Sequence, residues 1–137
     1  MNEVLKDKLG KILNPKIPRY EKIVETISND NGTAIKFKNG VMICFGKINI
    51  AINGGSDYYG VFNRTVSTPV NFPTSFISTE NLAVNATSQY FGVFSINVNS
   101  INTNNFSFYG FYPTTASFSS MNLSYVACGR WKWERIK

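Results

Sequence analysis

Two apolar-rich runs flank Lys38-Asn39-Gly40 in the stretch AIKFKNGVMICFG, residues 34 to 46. Asn-Gly is the strongest short-range signal for a two-residue hairpin, because both central positions of that turn need φ > 0 and most side chains resist it. Ile35 and Phe37 alternate with Ala34, Lys36 and Lys38 before the turn, and Val41, Ile43 and Phe45 alternate with Met42, Cys44 and Gly46 after it. The incoming strand therefore has one wet face. The outgoing strand is apolar on both, as expected of a strand sandwiched in a core or at an assembly interface.

The rest of the chain reads as further short strands. Ile23, Val24 and Ile27 lie in a run that fits strand or helix by periodicity. The sequence from Lys47 to Ile52 alternates and extends the second hairpin strand, 53–57 is a turn, and Tyr58 to Phe62 is a short aromatic strand before a loop from Arg64 to Pro69. Pro73 makes Val70 to Phe76 an edge segment or corner, since proline cannot donate to a ladder. Strands are expected at 82–87 and 90–98, the latter with Phe94, Ile96 and Val98 on one face, and Phe106, Phe108 and Gly110 alternate with Ser107, Tyr109 and Phe111. From Leu123 to Trp133, Leu123, Tyr125, Ala127 and Gly129 oppose Ser124, Val126, Cys128 and Arg130. Turns at intervals of roughly 8 to 12 residues fit an all-β, antiparallel β-sandwich occupying residues 19–137.

Ahead of it, residues 1–18 form a separate segment. Leu5, Leu9 and Ile12 make one apolar stripe over residues 2–14, widened by Val4 and Leu13, until Pro15 and Pro18 stop the helix. A stripe this short cannot hold a coiled coil alone. It is either the tail of a trimeric stalk or a helix docked on its own domain.

Three groups of residues carry a resemblance. Ile35, Lys36, Phe37, Asn39, Gly40, Met42, Cys44, Phe45 and Gly46 resemble the opening of the C-terminal domain of many phage tail-fibre proteins, and Ser28 to Gly32 resembles its Asn/Gly-rich lead-in. Val70 to Phe76 resembles that family's V-x-F-P-x-x-F segment, and Tyr125 to Lys132 its finish, [YW]-[IV]-A-x-G-R-W-K. Cys128 departs from the aliphatic usual there, as a small apolar substitute. The motifs fall in the family's order between Ile23 and Lys132, and they tip Ile23 to Ile27 towards strand. The resemblance implies a homotrimeric receptor-binding tip, made in the host cytoplasm and carried on the virion or on a phage-derived bacteriocin particle. Some such tips thread iron through His-x-His repeats. With no histidine, this chain resembles the metal-free type, with no cofactor.

Composition narrows the chemistry. The absence of histidine excludes a Ser-His-Asp triad, a Cys-His dyad and His-ligated zinc, and two cysteines cannot build a four-cysteine site. Glu21, Glu25, Asp30, Asp57 and Glu80 are too dispersed to pair as a glycosidase needs, unless adjacent subunits share a pair. The expectation is no enzyme. Of the net charge of +6, the chain ends carry all, and from Thr65 to Gly129 the only formal charge is Glu80. Basic ends without a clustered stripe argue against nucleic acid. No run is long and apolar enough for membrane insertion, and no signal-peptide core precedes the domain. Cytosolic synthesis makes Cys44 and Cys128 buried thiols by default, with a disulfide the lesser reading.

A low-charge surface rich in Asn, Ser, Thr and Tyr suits sugar recognition, because amides and hydroxyls bond sugar hydroxyls while aromatic faces cover apolar sugar faces. Tyr58, Tyr59, Tyr90, Phe91, Tyr109 and Tyr112 stand at or near expected strand ends. Asn53, Asp57, Asn102, Asn104, Asn105, Thr114 and Thr115 lie in expected loops. Each has a plainer explanation, as core or interface aromatics and as ordinary turn chemistry. The expected partners are a second and third copy, a cell-surface polysaccharide or teichoic-acid-like polymer, and other phage tail proteins through residues 1–18. The alternative is a small structural virion component, a cap or decoration, docked through that same segment.

Overall fold

The hairpin at Asn39-Gly40 forms, with a different turn from the expected one. In the computed structural model, Gly40 alone takes a left-handed φ, at 93°, and its amide donates to the Phe37 carbonyl at 3.0 Å. The result is a three-residue loop, Lys38 to Gly40, in which glycine supplies the left-handed residue. The Asn39 carboxamide oxygen accepts the Val41 amide at 3.0 Å and so holds the turn by local side-chain chemistry.

Residues 22–52, 56–89, 95–113 and 119–133 are described. They contain ten strands: β1 (Ile23–Asn29), β2 (Gly32–Phe37), β3 (Val41–Ala51), β4 (Ser56–Tyr58), β5 (Phe62–Arg64), β6 (Thr68–Asn71), β7 (Ala83–Gln89), β8 (Ser95–Ile101), β9 (Asn105–Pro113) and β10 (Ser120–Arg130). All pair antiparallel, in two sheets and without a helix among the described residues. The first sheet runs β1-β2-β3-β10-β7. In the second, β9 pairs with β8 on one side and with β5 and β6 on the other, and β4 extends from β5. The expected helix of residues 2–14, and the segment 1–18 with it, lie outside the described residues.

Period-two alternation fills the space between the sheets. Met42 and Cys44 of β3 and Leu123, Tyr125 and Ala127 of β10 face Phe106 and Phe108 of β9, all buried. Phe72 ties the layers together, with ring centroids 5.7 Å from Phe106 and 6.1 Å from Tyr125. The one buried polar side chain noted, Thr65, is satisfied: its hydroxyl accepts the Gly110 amide at 2.9 Å.

The three motif groups meet in space. β3 and β10 pair over eleven positions, from Ala51↔Ser120 to Val41↔Arg130, which brings the chain's end back to the first hairpin. There Arg130 Nη2 donates to the Asn39 carbonyl at 2.7 Å, the Trp131 amide to Gly40 at 2.9 Å, and the Trp131 indole to Phe37 at 2.8 Å. Trp131 packs on the core between Lys36 and Lys132, whose ammonium groups lie 5.3 and 4.9 Å from its ring centroid. β6 and the connector after it bury Val70, Phe72 and Phe76, and the Ile77 amide donates to the Arg130 carbonyl at 2.8 Å.

Several expectations need correction. Ser56 and Asp57 are strand, and 58–62 is not one strand but the β4–β5 hairpin bent at Tyr59-Gly60-Val61. The closing strand stops at Arg130, three residues short of Trp133, where the Trp131 amide and indole bond Gly40 and Phe37 of the hairpin turn. The outer side of β3 is not covered among the described residues, since Phe45 is exposed, which leaves the assembly interface of the two expected settings. Finally, only Cys44 is buried. Cys128 is exposed, and both are free thiols, because the two residues point to opposite faces of adjacent strands.

Candidate recognition site

The β4–β5 hairpin lies flat against the far end of β9 and sets its outward residues in rows. Arg64, Phe111 and Ser95 occupy one row, and Tyr58, Phe62 and Pro113 the next. Tyr109 and Asn97 form a third. Alternation sends Phe106, Phe108 and Tyr112 inward and leaves Tyr109 and Phe111 half-buried on the outer surface.

Tyr58, Phe62, Ser95, Asn97 and Phe111 line an open depression of about 340 Å³ on that surface. This is the lower end of the roughly 300–1,000 Å³ typical of ligand pockets. Tyr58 leans on Phe111 with centroids 5.2 Å apart and a 59° tilt, and meets Tyr59 edge-on at 4.5 Å. Arg64 stands beside them, its guanidinium carbon 5.5 Å from the Tyr58 centroid and 4.9 Å from that of Tyr109. The guanidinium makes no hydrogen bond or ion pair among the described residues, and its neighbours there are the two rings.

The loop at the tip is strained. Tyr59 holds φ at 56°, a region that disfavours large side chains, and its ring is 86% exposed. Val61 and Phe62 beside it are also exposed.

Of the residues singled out in the sequence, Tyr58, Tyr59 and Tyr109 come together here. Tyr112 does not: only 8% exposed, it is part of the core. Asp57 is exposed but alternates to the opposite face of the hairpin, in the row of Asn63 and Tyr112. Asn104 and Asn105 lie at the other end of β9, about 20 Å away at 3.4 Å per residue. The Asn105 side chain is used structurally, accepting Asn102 Nδ2 at 3.0 Å, while Asn104 is exposed and its backbone carbonyl accepts the Phe72 amide at 3.0 Å. Asn53, Tyr90, Phe91, Thr114 and Thr115 lie outside the described residues.

Arg64, Phe62, Asn97 and Phe111 were missed. Arg64 had a signal, as the last charged residue before a long stretch with a single acid, next to an aromatic run. The other three enter through the β5–β9 and β8–β9 pairings, which join residues far apart in the chain. A second depression, lined by Asn85, Thr87, Ser124, Tyr125 and Val126, carries no charged group. Comparison with protein-family models, with curated proteins and with solved structures finds no match.

Proposed function

We propose that this chain is a non-catalytic recognition domain of the phage tail-fibre-tip kind, attaching a virion or phage-like particle to a host cell-surface glycan or wall polymer. The observation that carries the reading is the outer surface of the second sheet, where Tyr58, Phe62 and Phe111 line a shallow opening with Ser95 and Asn97 at its edge. Aromatic faces with adjacent amide and hydroxyl groups, and no carboxylate in the lining, fit holding a sugar rather than cleaving it. The ordered motifs support the family part of the reading, since the residues that carry them also make the clamp between the first hairpin and the last strand.

In this reading the domain works as a homotrimer. The support is an apolar row on the outside of the first sheet, where Phe45 and Val126 are cross-strand partners and both exposed. That same row favours the second reading, a structural virion component whose exposed sheet packs on another tail protein, with residues 1–18 as the docking device. Whole-cell and isolated-wall pull-down, with a glycan array, test attachment; a well-folded chain that holds no host wall overturns it. Deleting residues 1–18 separates the two readings. Loss of particle incorporation with wall binding intact supports an adhesive tip, and the reverse supports the structural component.

A further inference from the structure

Arg64 sits where a neutral sugar site has no need of a cation. Its guanidinium is flanked by the Tyr58 and Tyr109 rings, at 5.5 and 4.9 Å. It shares a cross-strand row with Phe111 and Ser95, both lining the depression. Among the described residues no acid answers it: Asp57, the carboxylate of this hairpin, faces the other way, and the residues lining the depression are uncharged. A guanidinium flanked by ring faces can still present its planar fork of N–H donors, and that fork matches a carboxylate or phosphate in two parallel bonds. The rings remove part of its freedom before anything binds, so less is lost on complex formation.

We infer that the depression selects a saccharide unit bearing an oxyanion, with Arg64 gripping the anionic group while Tyr58 and Phe111 cover the sugar ring and Asn97 bonds its hydroxyls. The inference rests on the sugar-binding reading above and narrows it to acidic glycans. Uronic-acid carboxylates and sugar or polyol phosphates share the required chemistry. Neutral polymers lack it.

The test titrates the full chain with methyl glucuronide, glucose 1-phosphate, methyl glucoside and inorganic phosphate, following the Tyr and Phe ring resonances and the Arg64 Nε by NMR. At low salt the two anionic sugars are expected to bind about tenfold tighter than the glucoside, with the advantage shrinking at 0.3 M salt. Whichever of the two binds better names the anion. Arg64→Gln should abolish the advantage of the anionic sugars over the glucoside, and Arg64→Lys, which keeps the charge without the fork, should restore only part of it. Unchanged melting temperatures in both variants confirm that the fold is intact. Equal binding of glucoside and anionic sugars overturns the role of Arg64 and leaves the sugar site standing. Inorganic phosphate binding as tightly as glucose 1-phosphate overturns the aromatic contribution. If no sugar binds while wild type and Arg64→Gln hold host walls equally, the inference fails and attachment survives; if wild type holds no wall, both fail.

Discussion

Cys44 and Cys128 sit one position out of step on paired strands, Cys44 opposite Ala127 and Cys128 opposite Ile43. One step along a strand reverses the face, so proximity does not become a disulfide. Burial pushes the Cys44 thiol up to about 12 from its ordinary value near 9, with Lys36 opposing slightly. Two predictions follow from these placements. A thiol reagent at pH 8 should modify one cysteine of the native chain, Cys128, and both after unfolding; fast modification of two native thiols would contradict the buried position of Cys44. Stability should also fall as pH climbs from 9 towards 12, because the unfolded thiol loses its proton there while the folded one keeps it. Tyr125 acts in the same sense, its phenol raised by burial first and by Cys44 second, while its hydroxyl donates to the Asn31 carbonyl at 2.6 Å. Urea midpoints between pH 8 and 11 measure this, and Cys44→Ala should make the decline shallower. Gly129 tests the packing beside them. A Cβ there would approach Phe76 Cδ1 to 2.8 Å and Leu82 Cδ1 to 3.0 Å. Gly129→Ala should therefore lose about 1–3 kcal/mol of stability by overpacking, read from denaturant unfolding.

Among the elements, the end of β10 and the β2–β3 hairpin act as one unit. Replacing Trp131 by Phe keeps most of the ring and removes the indole bond to Phe37, a change of about 0.5–1.5 kcal/mol in stability. Hydrogen exchange should quicken at Gly40 and Val41 and stay unchanged in β8 and β9; a uniform change would mean that Trp131 does not clamp the turn. This clamp also marks how far the sequence could be read. The alternation of β3, β9 and β10 was legible because a two-sided sheet imposes period two, and Ile96 and Val98 of β8 fall inward as that period requires. The hairpin at Asn39-Gly40 was legible from its turn residues. The β4–β5 hairpin was not, since its tip uses a left-handed tyrosine at position 59, where turn chemistry expects glycine or asparagine. For the same reason half of the candidate site was hidden. Tyr58, Tyr59 and Tyr109 could be named as aromatics near strand ends, but only pairing decides that Arg64 and Phe111 share their face and that Tyr112 does not.

At the scale of the molecule, the two sheets present different outer surfaces. The second carries the aromatic depression and Arg64. The first carries Phe45 and Val126, 41% and 52% exposed, with Ile43, Ile35 and Cys128 on the same side of neighbouring strands. A single isolated apolar residue on a surface needs no partner, but a contiguous row across paired strands is what an interface core looks like. If that row joins three copies, the depressions are repeated in threes. Weak sugar binding then gains by effective concentration, by as much as 10²–10⁴ overall when the spacing of sites matches a repeating polymer. The expected mass in solution is three times the 15.4 kDa of the chain. Phe45→Glu places a carboxylate in the row without touching the core, so it should yield a monomer with an unchanged far-ultraviolet circular dichroism spectrum. Its affinity for a monosaccharide should match wild type, while its retention on intact walls should drop at least tenfold. A wild-type chain with the mass of one copy, or a Phe45→Glu variant that stays trimeric, would move the interface away from the first sheet and leave multivalency without a structural basis.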